Sequence, residues 1–342
     1  MGRSCDFVGF VVYDLAVTET LSLQALRDQA GAGSDRKRLL LITNPHASTV
    51  TTRLQRLVQY ALAGGFELEC VRTKAQGDAT QLAADAAAEG VDAVVVFSGD
   101  GTINEAANGL HGTKTALTCL PGGSGNVYNK MLGLPVDVID ATERLLRRAD
   151  EWETRNVLTG TVNGRRFLFS AGYGLDAAIV GHVDSNPRWK HKFNERYFTY
   201  SAFRVYFSQY LGNPPQIETT WTGCDAPLLG VTTLVQKGDP YTYFEQLPLR
   251  ASKGARLEDP VFSGMSLRTT RPTIVPGIVW RLFSQTRNLT DHRQIDAIPE
   301  SPEIVVRSTD GRPVDLMVDG DNIGRYTEAR FAFDPVPLTI LG

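Results

Sequence analysis

Residues 91–109 read VDAVVVFSGDGTINEAANG, and this stretch decides the fold. The run from Val91 to Phe97 is continuously apolar, which is typical of a strand that is buried on both faces of a parallel sheet. A glycine-rich loop from Ser98 to Thr102 follows, and a helix is predicted to run from it to about Asn108. The stretch therefore predicts one strand, loop and helix unit of an α/β sheet.

The same pattern recurs on both sides of this stretch. Predicted strands alternate with predicted helices, and Asp78 is the predicted N-cap of the second helix. The strands are predicted at residues 39–43, 66–72 and 115–120, and the helices at residues 49–63, 78–89 and 138–148. The alternation predicts a Rossmann-like parallel sheet that is covered by helices on both sides and binds ligands at the carboxyl ends of its strands.

The pattern changes after residue 150. Asn163-Gly164 suits a type I′ turn, so residues 157–162 and 166–170 are predicted to form a hairpin. Short β-rich runs follow at residues 217–221, 229–235, 303–307 and 315–318, with residues 193–210 as the one predicted helix. We therefore predict an extension at residues 1–36, a Rossmann-like domain at residues 37–150 and a β-sandwich domain at residues 151–342. The last run, residues 329–341, is compatible with pairing in either domain.

Composition narrows the class of protein. The 342 residues are 42% hydrophobic and 21% charged, with a formal net charge of -3, so we expect a globular protein without an overall attraction to nucleic acid. The four cysteines form no CxxC pair, which indicates neither a zinc site nor a redox motif and fits a cytoplasmic location. Because the apolar runs are too short to span a bilayer, we expect any membrane contact to be peripheral.

Two glycine-rich loops point to a phosphate ligand. Glycine lets backbone N–H groups approach an anion closely, and a helix start adds partial positive charge. In the loop at residues 98–102, the Asp100 carboxylate would be repelled by phosphates unless a cation lay between them. Asp100 therefore indicates either a bound Mg²⁺ or a group that takes a proton from an attacking hydroxyl. The competing interpretation is a tight turn with Asp100 as a helix N-cap. The loop at residues 121–126 is equally compatible with a phosphate or ribose site and with a flexible turn.

Asn44-Pro45, at the end of the first predicted strand, has two interpretations as well. The Asn44 amide binds a nucleobase or ribose, or it caps the turn.

The order and spacing of these motifs resemble the diacylglycerol kinase catalytic-domain family, which includes bacterial lipid kinases, sphingosine kinases and ceramide kinases. The resemblance covers the chain from about Leu39 onward and is densest between Asn44 and Asn126. It rests on Asn44-Pro45, Thr73, Gly77-Asp78-Ala79, Ser98 to Thr102, Asn104-Glu105, Asn108-Gly109 and Pro121 to Asn126.

The resemblance implies a Rossmann-like N-terminal domain, a β-sandwich C-terminal domain and a nucleotide in the cleft between them. It implies ATP or another nucleoside triphosphate, Mg²⁺, a lipid acceptor and peripheral membrane association, with a homodimer left open. Asp100 and Asp321 become the candidate catalytic acids, Asp100 the tentative Mg²⁺ ligand and Asp176 a substrate-side acid. The implied nucleotide-binding residues are Asn44, Thr73, Ser98, Gly99, Gly101, Thr102, Gly122, Gly123, Ser124 and Asn126.

The chain departs from the family pattern at four places. Residues 46–50 read HASTV where the family has a glycine- and lysine-bearing loop, although Ser48 and Thr49 offer hydroxyls at a predicted helix start. Ser98 replaces a glycine, as in sphingosine kinases, Val127 replaces an Asp, and Asp321 replaces a Glu.

Two segments mix bases with aromatic residues, as peripheral membrane contacts do. They are residues 188–198 and residues 274–283; ordinary packing is the alternative for each. Two further alternatives concern the activity: an NAD kinase-like enzyme, and a regulator that binds nucleotide or lipid without catalysis.

Overall fold

A computed structural model describes residues 36–342, apart from residues 245, 246, 253–255 and 285, and leaves the side chains of residues 187, 188, 190–195 and 244 undescribed. The predicted extension therefore lies outside the described residues, except for Arg36. The described helices are α1 Thr52–Gly65, α2 Asp78–Ala88, α3 Asp100–Gly109, α4 Val127–Met131, α5 Val138–Arg147, α6 Leu175–Asp184, α7 Pro187–Val205 and α8 Val275–Leu282, with a π-helix at Tyr206–Tyr210 and a 3₁₀ turn at Leu289–Asp291.

The described strands number twenty. They are β1 Arg38–Thr43, β2 Glu67–Arg72, β3 Ala93–Ser98, β4 Ala116–Pro121, β5 Thr154–Val157, β6 Gly160–Val162, β7 Arg165–Phe167, β8 Ser170–Tyr173, β9 Ile217–Trp221, β10 Leu228–Gly230, β11 Thr232–Gln236, β12 Thr242–Phe244, β13 Leu247–Leu249, β14 Phe262–Leu267, β15 Ile295–Ser301, β16 Glu303–Ser308, β17 Val314–Val318, β18 Asp321–Tyr326, β19 Glu328–Phe333 and β20 Leu338–Leu341.

The first compact unit ends at Arg155 and also takes in Thr339–Gly342. Its sheet has the strand order β2-β1-β3-β4-β20-β5, and β1 to β4 pair in parallel. Every residue of β3 and β4 is buried, and for β3 the continuous apolar run predicted this. The predicted parallel α/β fold is confirmed.

Two helix starts differ from the prediction. Helix α1 begins at Thr52 rather than at residue 49, because the Thr51 hydroxyl caps it by accepting a hydrogen bond from the Leu54 N–H at 3.2 Å. Asp78 is not the N-cap of α2. Gly77 takes that position with φ 92°, and the Asp78 carboxylate instead accepts from the N–H groups of Lys74 and Ala75, at 2.6 and 2.9 Å.

The second compact unit, Asn156–Leu338, is built on two six-stranded antiparallel sheets. Their orders are β10-β9-β16-β19-β6-β7 and β15-β14-β11-β8-β17-β18. Residues of both sheets, among them Phe167, Ile304 and Leu316, form one buried apolar core, so the predicted β-sandwich is confirmed. The predicted hairpin is present, and its strands β6 and β7 are shorter than predicted. Its turn forms at Asn163 and Gly164, which both have the positive φ that this turn type requires.

Helices cover one sheet of the sandwich, and here the prediction of a single helix was wrong. Helices α6 and α8 both contribute to an apolar cluster with strands of the β8-containing sheet. Helix α7 begins at Pro187 and continues into the π-helix, whose Tyr210 packs on α6 together with Val205.

Two predicted strands are divided in the structure. The run at residues 229–235 splits into β10 and β11, which belong to different sheets. The last run contributes β19 to the sandwich and β20 to the parallel sheet, so it pairs in both units rather than in one. Within the described residues, no helix has both the length and the apolar character needed to cross a bilayer.

Candidate functional site

Three loops meet at the carboxyl edge of the parallel sheet. They are the β1 loop (residues 44–50), the β3 loop (residues 98–102, which includes the start of α3) and the β4 loop (residues 121–126). Backbone hydrogen bonds join them: the Gly122 N–H donates to the Ser98 carbonyl at 3.0 Å, and the Thr49 N–H donates to the Gly122 carbonyl at 3.1 Å. The parallel register of β1, β3 and β4 brings the three loops to one edge.

Glycines allow the β3 and β4 loops to pack backbone against backbone. A Cβ atom on Gly122 would lie 2.8 Å from Cα of Ser98, and one on Gly123 would lie 2.7 Å from Cα of Gly99. A Cβ on Gly99 would in turn meet Cα of Gly123 at 3.3 Å. These glycines are therefore needed for contact between the loops, whatever else they bind.

Asp100 connects the β3 loop to the helix that follows the β4 loop. Its Oδ2 accepts a hydrogen bond from the Val127 N–H at 3.0 Å, and its Oδ1 accepts one from the Tyr128 N–H at 2.9 Å. Both donors belong to the first turn of α4, so Asp100 satisfies N–H groups of that helix and not of α3, whose N-cap is Gly99. The interpretation of Asp100 as the N-cap of its own helix was wrong.

The charge of Asp100 is subject to opposing influences. Burial raises the pKa of this carboxyl, while the N–H groups of Tyr128 and Val127 and the positive charge of Lys130 lower it. Lys130 is the residue that the sequence analysis missed. It lies on α4, where burial lowers its pKa and the Asp100 charge raises it. A base four residues after Asn126 was the available signal.

Two asparagines shape the loops with their own side chains. Asn126 has φ 46°, and its amide accepts from the Gly123 N–H at 2.8 Å and donates to the Gly123 carbonyl at 2.7 Å. Asn44 Oδ1 accepts from the His46 N–H at 2.9 Å, which is the turn-capping role. The β1 loop thus keeps its shape by capping, and Thr49 acts through its backbone rather than at a helix start.

Side-chain hydroxyls also lie at the carboxyl edge of the parallel sheet. The Ser98 hydroxyl donates to Oγ1 of Thr102 at 2.9 Å, and Asn44 Nδ2 lies 3.5 Å from the same oxygen. Ser124 is exposed in the β4 loop, while Thr73, after the neighbouring β2, is buried and donates its N–H to the Thr43 carbonyl at 3.0 Å. The structure thus brings together the predicted residues of the three loops, with Gly101 in the first turn of α3 and Thr73 at the adjacent strand end.

The remaining predicted acids belong to the second unit. Asp176 lies in the first turn of α6, where Oδ2 accepts a hydrogen bond from the Tyr241 hydroxyl at 2.6 Å and burial raises the pKa of the carboxyl to about 6. Gly172 makes room for it, since a Cβ there would fall 1.9 Å from Oδ2.

Asp321 is the first residue of β18 and directly follows a two-residue turn. The turn residues, Asp319 and Gly320, have φ 48° and 86°. Asp319 is buried and accepts hydrogen bonds from the N–H groups of Leu168, Phe169 and Ser170 at 2.7 to 3.1 Å, so it holds the connection between β7 and β8 in place. The roles assigned to Asp176 and Asp321 stay predictions.

Comparison with known proteins bears on the first unit above all. Residues 38–154 match the diacylglycerol kinase catalytic domain family. The chain is 32% identical over 154 residues to a diacylglycerol kinase of Bacillus subtilis (strain 168), covering 44% of this chain and 50% of that protein. It is 32% identical over 124 residues to a protein of Pseudomonas syringae pv. tomato named "Probable lipid kinase YegS-like", covering 36% of this chain and 39% of the other. The chain thus spans about half the length, or less, of these curated relatives.

Solved structures match over more of the chain. A diacylglycerol kinase of Bacillus anthracis str. Sterne superimposes with a TM-score of 0.66 at 19% identity, covering 90% of this chain and 98% of that one. A second structure from the same organism gives a TM-score of 0.71 at 22% identity, covering 91% and 96%. At this identity the solved structures show the fold alone. The sequence match shows that residues 38–154 of this chain are similar to the diacylglycerol kinase catalytic domain family.

Proposed function

We propose that this protein is an ATP-dependent lipid kinase, which transfers the γ-phosphoryl group to a hydroxyl of a lipid of the diacylglycerol or sphingoid type. The observation that carries the proposal is the joined pair of glycine loops at the carboxyl edge of the parallel sheet, within the segment that matches the kinase family. Two such loops in backbone contact, each leading into a helix, are poorly explained as independent turns.

The nucleotide would be held by the residues that converge there. Backbone N–H groups of the β3 and β4 loops, the exposed Ser124 hydroxyl and the Thr102 hydroxyl offer donors or acceptors to phosphates and ribose. Lys130 supplies positive charge near Asp100, in a chain that lacks the glycine- and lysine-bearing loop after Asn44-Pro45. We assign Asn44 and Asn126 to shaping these loops, because their amides are engaged in the loops themselves.

The donor set fits a Mg²⁺ that arrives with the nucleotide. Within the described residues, no cluster of three or more His, Cys, Asp or Glu side chains could hold a metal ion. Mg²⁺ in phosphoryl-transfer sites commonly uses only one or two carboxylates, with waters and substrate phosphates as its other ligands. Asp100 has lone pairs beyond the two that its backbone hydrogen bonds use, so it can serve as that carboxylate. When bound beside Asp100, Mg²⁺ would supply positive charge that offsets the negative charge of the phosphates.

Catalysis in such a transfer is mainly positioning. Asp100 fixes α4 relative to the β3 loop and so keeps the donor groups in place. Asp100 and Asp321 both remain candidates for accepting the proton of the lipid hydroxyl. The variants Asp100→Asn and Asp321→Asn separate them: loss of transfer with ATP affinity unchanged identifies the base, whereas loss of both identifies the positioning residue.

The activity itself is tested with Mg-ATP labelled in the γ-phosphate. Purified protein is supplied with diacylglycerol, sphingosine, ceramide, a prenyl alcohol or NAD, and labelled product is counted. We expect label in a lipid and none in NADP. Label in NADP alone would support the NAD kinase-like alternative, and ATP binding without any labelled product would support a regulator.

A further inference from the structure

Helix α7 and the π-helix present an exposed aromatic face. Phe203 and Phe207 are 59% and 60% exposed, and Tyr200 and Leu211 are exposed beside them. The positions 200, 203, 207 and 211 are three or four residues apart, so these side chains lie along one side of the helix. The opposite side packs on α6 through Val205 and Tyr210, which are almost fully buried.

Helix α8 is apolar on both sides, which is unusual for a helix at a protein surface. Ile274, Ile278 and Leu282 pack inward against the cluster that includes α6. Val279 and Trp280 point outward and are 47% and 58% exposed. Because an exposed face of this kind is unfavourable in water, its composition indicates that something covers it.

Two hydrogen bonds connect these elements. The Tyr206 hydroxyl donates to the Thr270 carbonyl at 2.6 Å, and the Thr270 hydroxyl donates to the Tyr210 carbonyl at 2.6 Å. Thr270 lies in the segment that leads to α8, so the π-helix and α8 are held in one arrangement within the second unit. We call the exposed side chains of α7, the π-helix and α8 the aromatic surface.

Positive charge is concentrated on the same segments. Residues 187–205 contain five bases and one acid, and residues 271–287 contain three arginines and no acid. The whole chain has a net charge of -3, so these two segments are strongly positive within an acidic protein. Arg196 and Arg204 are exposed on α7, and the Arg281 guanidinium lies 5.9 Å from the centre of the Trp280 ring.

We infer that the aromatic surface docks the protein on an anionic membrane. Aromatic rings suit the headgroup level of a bilayer, and exposed Arg and Lys side chains are attracted to anionic lipids. A second copy of the chain is a poor occupant, because it would bring like-charged segments together and the centres of protein interfaces are depleted of charge. The inference concerns binding alone and does not rest on the proposed kinase activity, although it explains how such an enzyme reaches a lipid acceptor.

The test is cosedimentation of the full chain, without nucleotide, with phosphatidylcholine vesicles that contain or lack phosphatidylserine. We expect binding that requires phosphatidylserine and weakens with salt. The double variant Phe203→Ser/Phe207→Ser and the double variant Arg196→Glu/Arg204→Glu should each bind about tenfold more weakly or worse. The matched controls are Leu229→Ser, at another exposed apolar position, and Arg53→Glu, at an exposed base of α1; they should bind like the parent.

Circular dichroism and thermal unfolding confirm that each variant folds. Parent-like vesicle binding by both double variants, or no difference between the two kinds of vesicle, would overturn the inference. The inference would also be wrong if the parent were a dimer that binds no vesicles and the variant Phe203→Ser/Phe207→Ser were a monomer. In that case the aromatic surface would be an interface between two copies of the chain. Kinase assays with a short-chain, water-dispersed lipid separate the two proposals, since the double variants should keep that activity if both are right.

Discussion

Two strand–glycine–helix junctions of this protein place an aspartate in the first turn of a helix, but the two aspartates have different hydrogen-bond partners. In the first unit, β3 leads through Gly99 to Asp100 of α3, whose carboxylate accepts two backbone N–H groups of α4. In the second unit, β8 leads through Gly174 to Asp176 of α6, whose carboxyl accepts the Tyr241 hydroxyl and has its pKa raised by burial to about 6.

The difference shows that the partners, and not the local motif, decide what such an aspartate does. Asp100 joins two loops that are distant in sequence, because its acceptor atoms meet the start of another helix. Asp176 is poorly solvated, so burial raises the pKa of its carboxyl even though the hydrogen bond from the Tyr241 hydroxyl lowers it. We therefore expect removal of the carboxylate at the first junction to lower the rate of phosphoryl transfer. At the second junction we expect the free energy of unfolding to depend on pH.

The largest effect is expected from Asp100→Ala. Without the carboxylate, the N–H groups of Val127 and Tyr128 lose their acceptor, and the β4 loop is no longer fixed to the β3 loop. Phosphoryl transfer should fall by about 10²–10³-fold, the scale on which small misplacements act in catalysis. Steady-state kinetics with Mg-ATP and the lipid substrate measure it. Asp100→Asn keeps one acceptor oxygen and should leave the loop contact less disturbed; equal, near-parental activity in both variants would refute the positioning role.

A smaller effect is expected at the second junction when the pH changes. In the folded state Asp176 keeps its proton up to about pH 6, whereas the ordinary pKa is 3.8. Its contribution to stability is therefore fully present below about pH 4 and is lost as the pH rises through 6. The loss amounts to about 2–3 kcal/mol in the free energy of unfolding. Urea unfolding of the parent and of Asp176→Asn between pH 4 and 7 measures it, and a constant difference between the two would contradict the raised pKa.

Gly123→Ala should weaken the contact between the glycine loops by steric crowding. The added methyl group would fall 2.7 Å from the backbone of Gly99, which cannot move without displacing β3. We expect the free energy of unfolding to fall by about 2 kcal/mol, as overpacking does elsewhere. Gly212→Ala is the matched control, because nothing lies within 4 Å of its added methyl group. Equal stability of the two variants would show that the loops are not in contact in solution.

The smallest effect is expected from Tyr241→Phe. This change removes the hydroxyl that lowers the pKa of Asp176 against the effect of burial. The pKa of Asp176 should rise further above 6, so the midpoint of its pH dependence should move to higher pH, by an amount worth about 1 kcal/mol. The exposed Tyr60 of α1 provides the control variant Tyr60→Phe. A midpoint that stays in place or moves down would show that Tyr241 does not donate to Asp176.

Periodicity and composition predicted the fold well where the signal is local. The continuous apolar runs that became β1 and β3 follow from burial on both faces, and Asn163-Gly164 predicted a hairpin through its backbone conformation. Helices α6 and α8 were missed. The first contains Gly181 and the second Pro276-Gly277, and both have apolar residues on more than one side, so neither shows a clean helical period.

The candidate site was predicted as a set of residues but not as an arrangement. The glycine loops and Asp100 stand out in sequence because their composition is unusual. The hydrogen bonds from Val127 and Tyr128 to Asp100 join residues 27 and 28 positions apart, and only the pairing of β3 with β4 brings them together. For the same reason, no local pattern indicates that Gly122 and Gly123 are needed for contact with Ser98 and Gly99.

Nucleotide binding by the joined loops is tested by amide hydrogen exchange of the full chain with and without Mg-ATP. We expect saturable protection of amides in residues 98–102 and 121–128, and loss of that protection in Asp100→Ala. Saturable binding of Mg-ATP that leaves both segments unprotected, or no binding at all, would contradict the claim that these joined loops hold the nucleotide.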